Sequence, residues 1–252
     1  LERAKQSIGE GKSGRAFGQA NAAEHLAKNA CKIRGNQTTT PPQPPGNQTN
    51  ATTSGSISGI KFDDTNGNGI RNINETGLSN WTIFIDKNGN AILDENETNA
   101  VTGADGTFSF TNLTQGSYVL REVLKSGWIR TTPESVTVIV AANSTTTANF
   151  GNFKFGEIRG AKFNDENNNI VMDENETGIA GWTINLDGPE EIMTLTDANG
   201  SYVFTNLIAG NYTISEVLQE NWTQTFPANG NYTIEIISGS VVTDMNFGNF
   251  MT

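Results

Sequence analysis

The sequence predicts an all-β chain that contains two tandem antiparallel β-sandwiches, with a partly helical or disordered segment before them. The main observation is an internal repeat, since "GIKFDDTNGNG" aligns with "GAKFNDENNNI" and "TGADGTFSFTNL" aligns with "TDANGSYVFTNL". Both copies also close on the string "NFGNF". A repeat of this length, roughly a hundred residues, is of ordinary size for one domain.

The repeat divides the chain into four parts, which are a basic segment (1–35), a Pro/Thr/Asn-rich linker (36–54), repeat 1 (55–153) and repeat 2 (154–252). The basic segment has one candidate helix, from about Ser13 to Lys32, whose apolar stripe is mostly alanine. Burying so little apolar area would barely offset the entropy of ordering the helix. We therefore expect it to be disordered or frayed, or else to dock on a partner.

Short strands with period-two alternation indicate the sandwich. In "WTIFI", alternation places Trp81, Ile83 and Ile85 on the core face and leaves Phe84 exposed. Repeat 2 keeps the core-facing set as Trp182, Ile184 and Leu186. Similar short strands are "TFSF", "YVLREV" and "VTVIV" in repeat 1, and "SYVF", "YTISEV" and "YTIEII" in repeat 2. Gly, Asn, Asp and Pro clusters separate them, as in an Ig-like or prealbumin-like sandwich.

Composition excludes several classes of function. The formal charge is −11, and the basic segment holds seven Lys/Arg against three Asp/Glu, so the acid lies on the repeats. An acidic surface does not fit nucleic-acid binding. The single cysteine, Cys31, rules out an internal disulfide framework. No apolar run approaches the roughly 20 residues that span a bilayer, and we expect any secretion signal or anchor to lie outside this sequence.

Catalysis has little support in the sequence. His25 is the only histidine and lies in the basic segment, so the usual base of a Ser-His or Cys-His site is missing from the repeats. Neighbouring carboxylates such as Asp94 and Glu95 point apart in an extended chain and do not suggest a glycosidase pair. We predict that the protein is not an enzyme.

A calcium loop is predicted early in repeat 1. The segment "DTNGNGIRNINE" satisfies the whole D-x-[DN]-x-[DN]-G-x₅-E pattern, in which one continuous loop wraps a single ion with oxygen donors. Gly69 provides the sharp turn. The predicted donors are the side chains of Asp64, Asn66, Asn68, Asn72 and Glu75 and the carbonyl group of Ile70.

Two further loops have oxygen-bearing side chains at the same positions but lack the turn glycine. The second loop has Ala91 at that place, and its donors are Asp86, Asn88, Asn90, Ile92, Asp94 and Glu97. The third loop, in repeat 2, has Ile170 there, and its donors are Asp165, Asn167, Asn169, Val171, Asp173 and Glu176. Because Ile170 disfavours a left-handed backbone, we expect a weaker site or a shifted turn. We predict two Ca²⁺ ions in repeat 1 and one in repeat 2; the alternative is that these loops are solvated Asn/Asp turns.

At these residues the chain resembles the calcium-binding B repeats of the serine-aspartate repeat adhesins. The resemblance rests on "FDDTNGNG…NETG", on the "ADGTFSFTNL…GSYVLRE" block and on the closing "NFG", and it does not cover residues 1–54. It implies a stalk or spacer that stiffens on binding calcium, with Asp64, Asn66, Asn68 and Glu75 and their repeat-2 counterparts as ligands.

The resemblance also extends to relatives that cross-link themselves through a Lys–Asn or Lys–Asp isopeptide bond assisted by a buried acid. Glu122 and Glu216 match the place of that acid, and alternation puts Glu122 on the same strand face as Tyr118 and Leu120. However, Asp64 and Asp165 stand where the reactive lysine is expected, with Lys61 and Lys162 displaced along the strand. From the sequence we therefore do not expect such a bond.

Two functions fit these sequence features. The first is an extracellular spacer or surface-layer component of a cell-surface protein, in a filament or array, whose rigidity depends on calcium. The second is an adhesive module that binds a glycan or protein of the surface or matrix through its loops, for which exposed Phe84 and Trp128 would be contact residues. Thirteen Asn-X-Ser/Thr triplets predict a glycoprotein exported from the cell.

Overall fold

A computed structural model of the chain describes residues 54–252. The predicted N-terminal helix, most of the Pro-rich linker and Cys31 lie outside the described residues. Within residues 54–252 the chain forms eighteen β-strands, and no helix there is long and apolar enough to cross a membrane. The all-β prediction is confirmed for this part of the chain.

Each repeat contributes nine strands in the same order. In repeat 1 they are β1 (Gly55–Asp63), β2 (Thr82–Ile85), β3 (Asn99–Val101), β4 (Thr107–Leu113), β5 (Gly116–Glu122), β6 (Trp128–Arg130), β7 (Ser135–Val140), β8 (Thr145–Thr147) and β9 (Phe150–Lys154). In repeat 2 they are β10 (Gly156–Asn164), β11 (Thr183–Asp187), β12 (Ile192–Leu195), β13 (Ser201–Leu207), β14 (Gly210–Glu216), β15 (Trp222–Phe226), β16 (Asn231–Ile236), β17 (Val241–Val242) and β18 (Phe247–Met251).

The strands of each repeat form two sheets. In repeat 1 one sheet has the order β4-β1-β9-β6, with β8 also on β1, and the other has the order β3-β2-β5-β7. Repeat 2 has the same two sheets, β13-β10-β18-β15 with β17 on β10, and β12-β11-β14-β16. Two sandwich-like sheet pairs in tandem are therefore present, as the sequence predicts.

The first and last strands of each repeat run parallel, which corrects the prediction of purely antiparallel sandwiches. Strand β9 pairs with β1 in parallel register, with Lys61 opposite Phe150 and Asp63 opposite Asn152. Strand β18 pairs with β10 in the same way. Alternation reports which side chains share a face but not the direction of a neighbouring strand. The pairing places the closing "NFGNF" string directly beside the first strand of its own repeat.

The core contains the residues that alternation selects, together with one that it places outside. Trp81, Ile83 and Ile85 are buried, as predicted. Phe84 is also buried, at 1% exposure, because the structure covers both faces of β2 at this point. Trp128 is half-buried and packs edge-on against Trp81 with ring centroids 5.5 Å apart. The prediction that Phe84 is exposed is therefore wrong, and neither aromatic is a free contact residue.

The junction between the repeats is short and bonded. Only Phe155 separates β9 from β10, and the Phe153 side chain belongs to the hydrophobic core of repeat 2. Gly239 of repeat 2 donates its N–H to the Lys154 carbonyl oxygen at 2.8 Å. The Lys154 N–H in turn donates to Ser238 Oγ at 2.8 Å. A joint with a buried aromatic and paired backbone groups resists bending more than a solvated linker does.

Candidate functional site

The first predicted calcium loop is a compact turn whose carboxylates point inward. Asp64 is completely buried, and its carboxylate accepts hydrogen bonds from the N–H groups of Asn68 (3.0 Å) and Gly69 (2.6 Å). Glu75, at the other end, accepts from the N–H groups of Thr65 (3.0 Å) and Asn72 (2.8 Å). The first and last acidic residues of the pattern therefore close the loop on itself.

The other two loops repeat this arrangement. Asp165 accepts hydrogen bonds from the N–H groups of Asn169 (2.9 Å) and Ile170 (3.0 Å), and Glu176 accepts from that of Asp173 at 3.0 Å. The corresponding bonds in the second loop join Asp86 to the N–H groups of Gly89 and Ala91, and Glu97 to those of Lys87 and Asp94. The structure thus brings the predicted acidic ends together in all three loops.

Asparagine side chains complete each turn. In the first loop, Asn66 Oδ1 accepts from Asn68 N–H at 3.1 Å, and Asn68 Oδ1 accepts from Ile70 N–H at 2.7 Å. The same pairs form in the other loops, as Asn88 with Asn90, Asn90 with Ile92, Asn167 with Asn169, and Asn169 with Val171. In residues 54–252 no group of three or more His, Cys, Asp or Glu is placed to hold a metal. Any ion in these loops would therefore need amide and carbonyl oxygens as well as carboxylates.

The turn geometry is the same with and without glycine. The residue at the sixth loop position has a left-handed backbone in each loop, with φ of 76° at Gly69, 64° at Ala91 and 66° at Ile170. The alternative that Ile170 shifts the turn is wrong. A β-branched residue in this region is a genuine outlier, at a cost of roughly 1–2 kcal/mol. Repeat 2 thus keeps the loop at the expense of backbone strain.

The loops differ in how the buried carboxylate is compensated. Asp86 accepts a hydrogen bond from Arg121 Nε at 2.7 Å, whereas within residues 54–252 Asp64 and Asp165 form no salt bridge. Burial alone would raise the pKa of Asp86, but Arg121 and the two loop N–H groups outweigh burial and lower the pKa below its ordinary value. A buried carboxylate without a charged partner is costly, even where backbone N–H groups donate to it. Asp64 and Asp165 therefore occupy positions that favour a cation.

The first loop also lies at the junction of the two repeats. The Thr65 carbonyl oxygen accepts a hydrogen bond from the Ser238 N–H of repeat 2 at 3.0 Å. A Cβ atom added at Gly67 would lie 2.9 Å from the Cβ of Ala209, also in repeat 2. The loop is therefore part of the contact between the repeats.

A second cluster, which we call the lysine cluster, is buried inside repeat 1. It consists of Lys61, Glu122 and Asn152, whose side chains come from β1, β5 and β9. Lys61 Nζ lies 2.5 Å from Asn152 Oδ1 and 3.1 Å from Glu122 Oε2. Asn152 Nδ2 donates to Glu122 Oε1 at 2.9 Å. The three side chains thus form a closed ring of polar contacts.

The surroundings of the lysine cluster set its charge state. Burial lowers the pKa of Lys61 from 10.5 to about 8, although Glu122 opposes this shift. Arg130 Nε lies 3.3 Å from Glu122 Oε1, and the Lys61 ammonium lies 4.5 Å from the centroid of the Trp81 ring. The lysine therefore loses its proton more readily than an exposed lysine does.

Repeat 2 contains an equivalent cluster of Lys162, Glu216 and Asn249. Lys162 and Asn249 have no exposed surface, and Lys162 Nζ lies 3.4 Å from Glu216 Oε2. Within the described residues, neither polar atom of the Asn249 side chain has a hydrogen-bond partner. Burial lowers the pKa of Lys162 to about 8 and raises the pKa of Glu216 above its ordinary value. The same three residue types are thus enclosed in both repeats.

These clusters overturn the expectation that Lys61 and Lys162 are displaced from the acid. Both lysines, and not Asp64 or Asp165, contact the buried glutamate. The predicted place of Glu122 on the inner face of its strand is confirmed. The sequence does contain a signal for this pairing. Lys162 is the only lysine between residues 156 and 252, and it aligns with Lys61.

Comparison with known proteins identifies a family for both repeats. A model of the SdrD B-like domain matches residues 55–149 and 156–240. Serine-aspartate repeat-containing protein F of Staphylococcus epidermidis (strain ATCC 12228 / FDA PCI 1200) is 32% identical over 187 residues, which cover 68% of this chain and 11% of that protein. Serine-aspartate repeat-containing protein D of Staphylococcus aureus (strain Newman) is 29% identical over 198 residues, covering 69% and 14%. The chain thus spans only a small part of the length of these relatives.

Among solved structures, the comparison found matches of low sequence identity and low TM-score. The Bacillus anthracis TIE protein is 18% identical with a TM-score of 0.35, and the match covers 79% of this chain and 34% of that chain. GBS52, the minor pilin of Streptococcus agalactiae, is 13% identical with a TM-score of 0.33, and the match covers 79% and 96%.

Proposed function

The chain belongs to the SdrD B-like domain family, and from this premise we propose that its two repeats form a spacer of a cell-surface protein that calcium stiffens. The observation that carries the proposal is the position of the first loop. Its Thr65 carbonyl oxygen is bonded to Ser238 of the next repeat, so an ion held in this loop would also fix the junction. A spacer needs rigid joints more than it needs a binding pocket.

The residues of the first loop fit calcium by their chemistry. Asp64 and Glu75 offer carboxylates, Asn66, Asn68 and Asn72 offer amide oxygens, and Ile70 offers a carbonyl oxygen, all of which are ligands that Ca²⁺ prefers. The fully buried Asp64 carboxylate, which has no salt bridge within residues 54–252, supports the fit. A bound ion would replace its missing positive partner.

The three loops should differ in affinity. The first loop combines Asp64, which has no salt bridge within residues 54–252, with a strain-free Gly69, so it should bind most tightly. In the second loop, Arg121 already compensates Asp86. In the third, Ile170 holds a strained backbone. We propose one ion per loop, with the second and third sites weaker than the first.

The proposed location of the spacer on the cell surface rests on its family and not on a ligand-binding pocket. The family is one of surface structural domains rather than of enzymes, and we place this chain outside the cell, on the cell surface. The acidic repeats and the Asn-X-Ser/Thr triplets support exposure to a medium that contains calcium and to the glycosylation machinery. An array or filament of such repeats, and contacts with matrix proteins or glycans, belong to the same proposal.

Thermal unfolding of the full chain with excess calcium and with chelator tests the metal. Calcium stabilises only if it binds the folded form better than the unfolded form, so the unfolding temperature should rise with free calcium. Asp64→Ala should reduce the rise. Glu235→Gln, which removes one charge from an exposed strand position outside the loops, is the matched control and should keep it. An unfolding temperature that is independent of calcium would refute the metal assignment.

Hydrogen exchange measured by NMR tests the stiffening itself. The Ser238 amide, which is bonded to Thr65, should exchange more slowly when calcium is present. The Thr196 amide, bonded to Trp182 inside repeat 2, is an internal reference for a region away from the junction. If calcium raises the unfolding temperature but leaves Ser238 exchange unchanged, the loop binds the ion without acting on the joint.

A further inference from the structure

Each predicted calcium loop ends in the same tripeptide, Asn-Glu-Thr, which is also an acceptor triplet for N-linked glycosylation. The three triplets are residues 74–76, 96–98 and 175–177, and the central glutamate of each is the predicted calcium ligand at the twelfth loop position. We propose that the loops carry N-linked glycans at Asn74, Asn96 and Asn175. Each loop would then hold an ion on its inner side and an oligosaccharide on its outer side.

The folded loop turns the glutamate inward and leaves its two neighbours outside. Glu75 and Glu97 are buried and accept hydrogen bonds from N–H groups of their own loops. The asparagine before the glutamate and the threonine after it are exposed in all three loops: Asn74, Thr76, Asn96, Thr98, Asn175 and Thr177. The amide that would receive the sugar and the hydroxyl group that marks the acceptor are thus both accessible while the loop stays closed.

The fold accounts for the glutamate but not for the two side chains beside it. The Thr76 carbonyl oxygen accepts a hydrogen bond from the Asp63 N–H at 2.9 Å, and Thr98 and Thr177 close their loops in the same way. Any residue type can supply this backbone carbonyl. Within residues 54–252, neither the threonine hydroxyl groups nor the asparagine amides of the three triplets take part in the hydrogen bonds of the loops. Side chains that recur in three loops without a structural role indicate recognition from outside.

Turn conformation explains several other acceptor asparagines but not these three. A left-handed backbone, which asparagine adopts more readily than most residues, occurs at four of the others, with φ between 55° and 65°: Asn80, Asn112, Asn143 and Asn221. The loop asparagines Asn74, Asn96 and Asn175 are not among the residues with a positive φ. Their residue type is therefore not required by the backbone.

The modification transfers an oligosaccharide from a lipid phosphate to the side-chain amide. Asn74 Nδ2 forms a bond to the C1 carbon of the first sugar, and the bond between C1 and the phosphate oxygen breaks. The electron pair of that bond leaves with the phosphate, and Nδ2 releases one proton to a base of the transferase. The lipid-linked donor and the transferase belong to the export route, so this proposal rests on the proposed location at the cell surface.

A glycan at these positions would also cover apolar side chains of the loops. Ile73, the neighbour of Asn74, is 98% exposed. Ile92 in the second loop and Val171 and Met172 in the third are exposed as well. Exposed apolar groups favour association between proteins, and sugar rings present C–H groups that pack on such side chains. The glycans would therefore keep neighbouring spacers from adhering to one another through the loops.

The glycan and the ion would use different atoms of the loop. Neither Asn74 nor Thr76 is a predicted calcium ligand, and an N-linked sugar leaves the Glu75 carboxylate with its hydrogen bonds to the N–H groups of Thr65 and Asn72. Loss of the glycan should therefore leave the calcium-dependent rise in unfolding temperature unchanged. The calcium site and the glycan can be tested separately.

Glycopeptide mass spectrometry of the full chain, isolated from the cells that produce it, tests the three sites. Chymotrypsin cleaves after large apolar residues and gives each of the three asparagines a peptide that contains no other acceptor triplet: 63–78, 94–108 and 173–182. Each peptide should be heavier than its sequence mass by one oligosaccharide. Fragmentation by electron transfer should locate the added mass on Asn74, Asn96 and Asn175.

Variants of the threonine assign the modification to the triplet. Thr76→Ala removes the hydroxyl group but keeps Asn74 and Glu75, so it should abolish the added mass on the 63–78 peptide and leave the other two peptides modified. Thr76→Ser retains a hydroxyl group, is the matched control, and should keep all three. A chain with alanine at Thr76, Thr98 and Thr177 should bind an apolar dye more strongly than the wild-type chain. Equal dye binding would remove the shielding role.

Two results would overturn the proposal. The first is a chain whose three loop peptides have their unmodified masses while the triplets at Asn36, Asn47 and Asn50 carry glycans, which would show export without modification of the loops. The second is added mass that persists on Asn74 in Thr76→Ala, which would exclude attachment through this triplet. A chain that stays inside the cell and carries no glycan would contradict the proposed surface location together with this proposal.

Discussion

The two repeats share one scaffold but compensate the same buried acid differently. In repeat 1, Glu122 is contacted by Lys61, by Arg130 and by the Asn152 amide. In repeat 2, Gln224 stands at the place of Arg130, and the one ion pair of Glu216 within residues 54–252 is with Lys162. Burial accordingly raises the pKa of Glu216. Closely similar sequences can therefore enclose the same residues with a different balance of charge.

In the predicted calcium loops, by contrast, different residues at the sixth position adopt the same backbone geometry. Gly69 and Ile170 share a left-handed φ within 10° of each other, at 76° and 66°. The hydrogen bonds to Asp64 and Asp165 hold this turn in both repeats. The loop geometry is thus set by hydrogen bonds to the first aspartate of each loop. The sixth residue determines only how much backbone strain the loop carries.

Removing the buried acid should give the largest difference between the repeats. Glu122→Gln leaves two cations, Lys61 and Arg130, without their acid and should destabilise repeat 1 by about 3–5 kcal/mol. Glu216→Gln should cost less, because only Lys162 loses a partner. Hydrogen exchange of β1 and β10 gives the local free energy of unfolding in each repeat. Equal losses of stability in the two variants would show that Arg130 adds nothing to the cost of losing Glu122.

The two buried lysines should make the stability of the chain depend on pH. Folded Lys61 and Lys162 release their protons near pH 8, and the unfolded lysines release theirs near pH 10.5. The unfolded state therefore holds more protons between these values, and the free energy of unfolding should rise with pH in this window, by about 3 kcal/mol per lysine. Below pH 8 both states are protonated and the slope vanishes.

Urea unfolding from pH 7 to pH 10 measures this slope. Lys61→Met removes one of the two titrating amines, so its slope should be about half that of the wild-type chain. Tyrosines such as Tyr202 and Tyr232 are the same in both chains, so the difference between the chains isolates Lys61. The same slope in both chains would show that Lys61 does not titrate in this window.

The calcium loops should differ by a smaller amount. Asp64→Ala should remove about 2.7 kcal/mol of calcium-dependent stability when free calcium exceeds the dissociation constant of that site a hundredfold. Asp165→Ala should remove less at the same calcium concentration, because its loop is strained at Ile170. Isothermal titration of both variants gives the two affinities, and a tighter third loop would reverse the assigned order.

Exchanging the sixth loop residue should have the smallest effect. Ile170→Gly relieves the left-handed isoleucine and should stabilise repeat 2 by roughly 0.5–1 kcal/mol in chelator. Gly69→Ile should destabilise repeat 1 by more than this, because a Cβ atom there would lie 2.8 Å from the Thr131 carbonyl oxygen. Urea unfolding of each variant measures the change, and a destabilised Ile170→Gly would show that packing of the isoleucine outweighs its strain.

The amino-acid sequence by itself determined the repeats, the strand faces around Trp81 and Trp182, and the three loops. These features are local, because alternation and the twelve-residue spacing of oxygen donors are carried by neighbouring residues along the chain. The family resemblance was found from the same strings and is confirmed for both repeats.

The tertiary structure alone decided the burial of Phe84, the parallel closing strands and the lysine clusters. Lys61 and Asn152 are 91 residues apart, and they meet only because β9 runs beside β1 in one particular register. Sequence alternation could place Glu122 on the inner face of its strand but could not show which lysine faces it. The physical reason is that local spacing is fixed by the covalent chain, whereas contacts between distant strands are fixed by the way the sheets pack and pair.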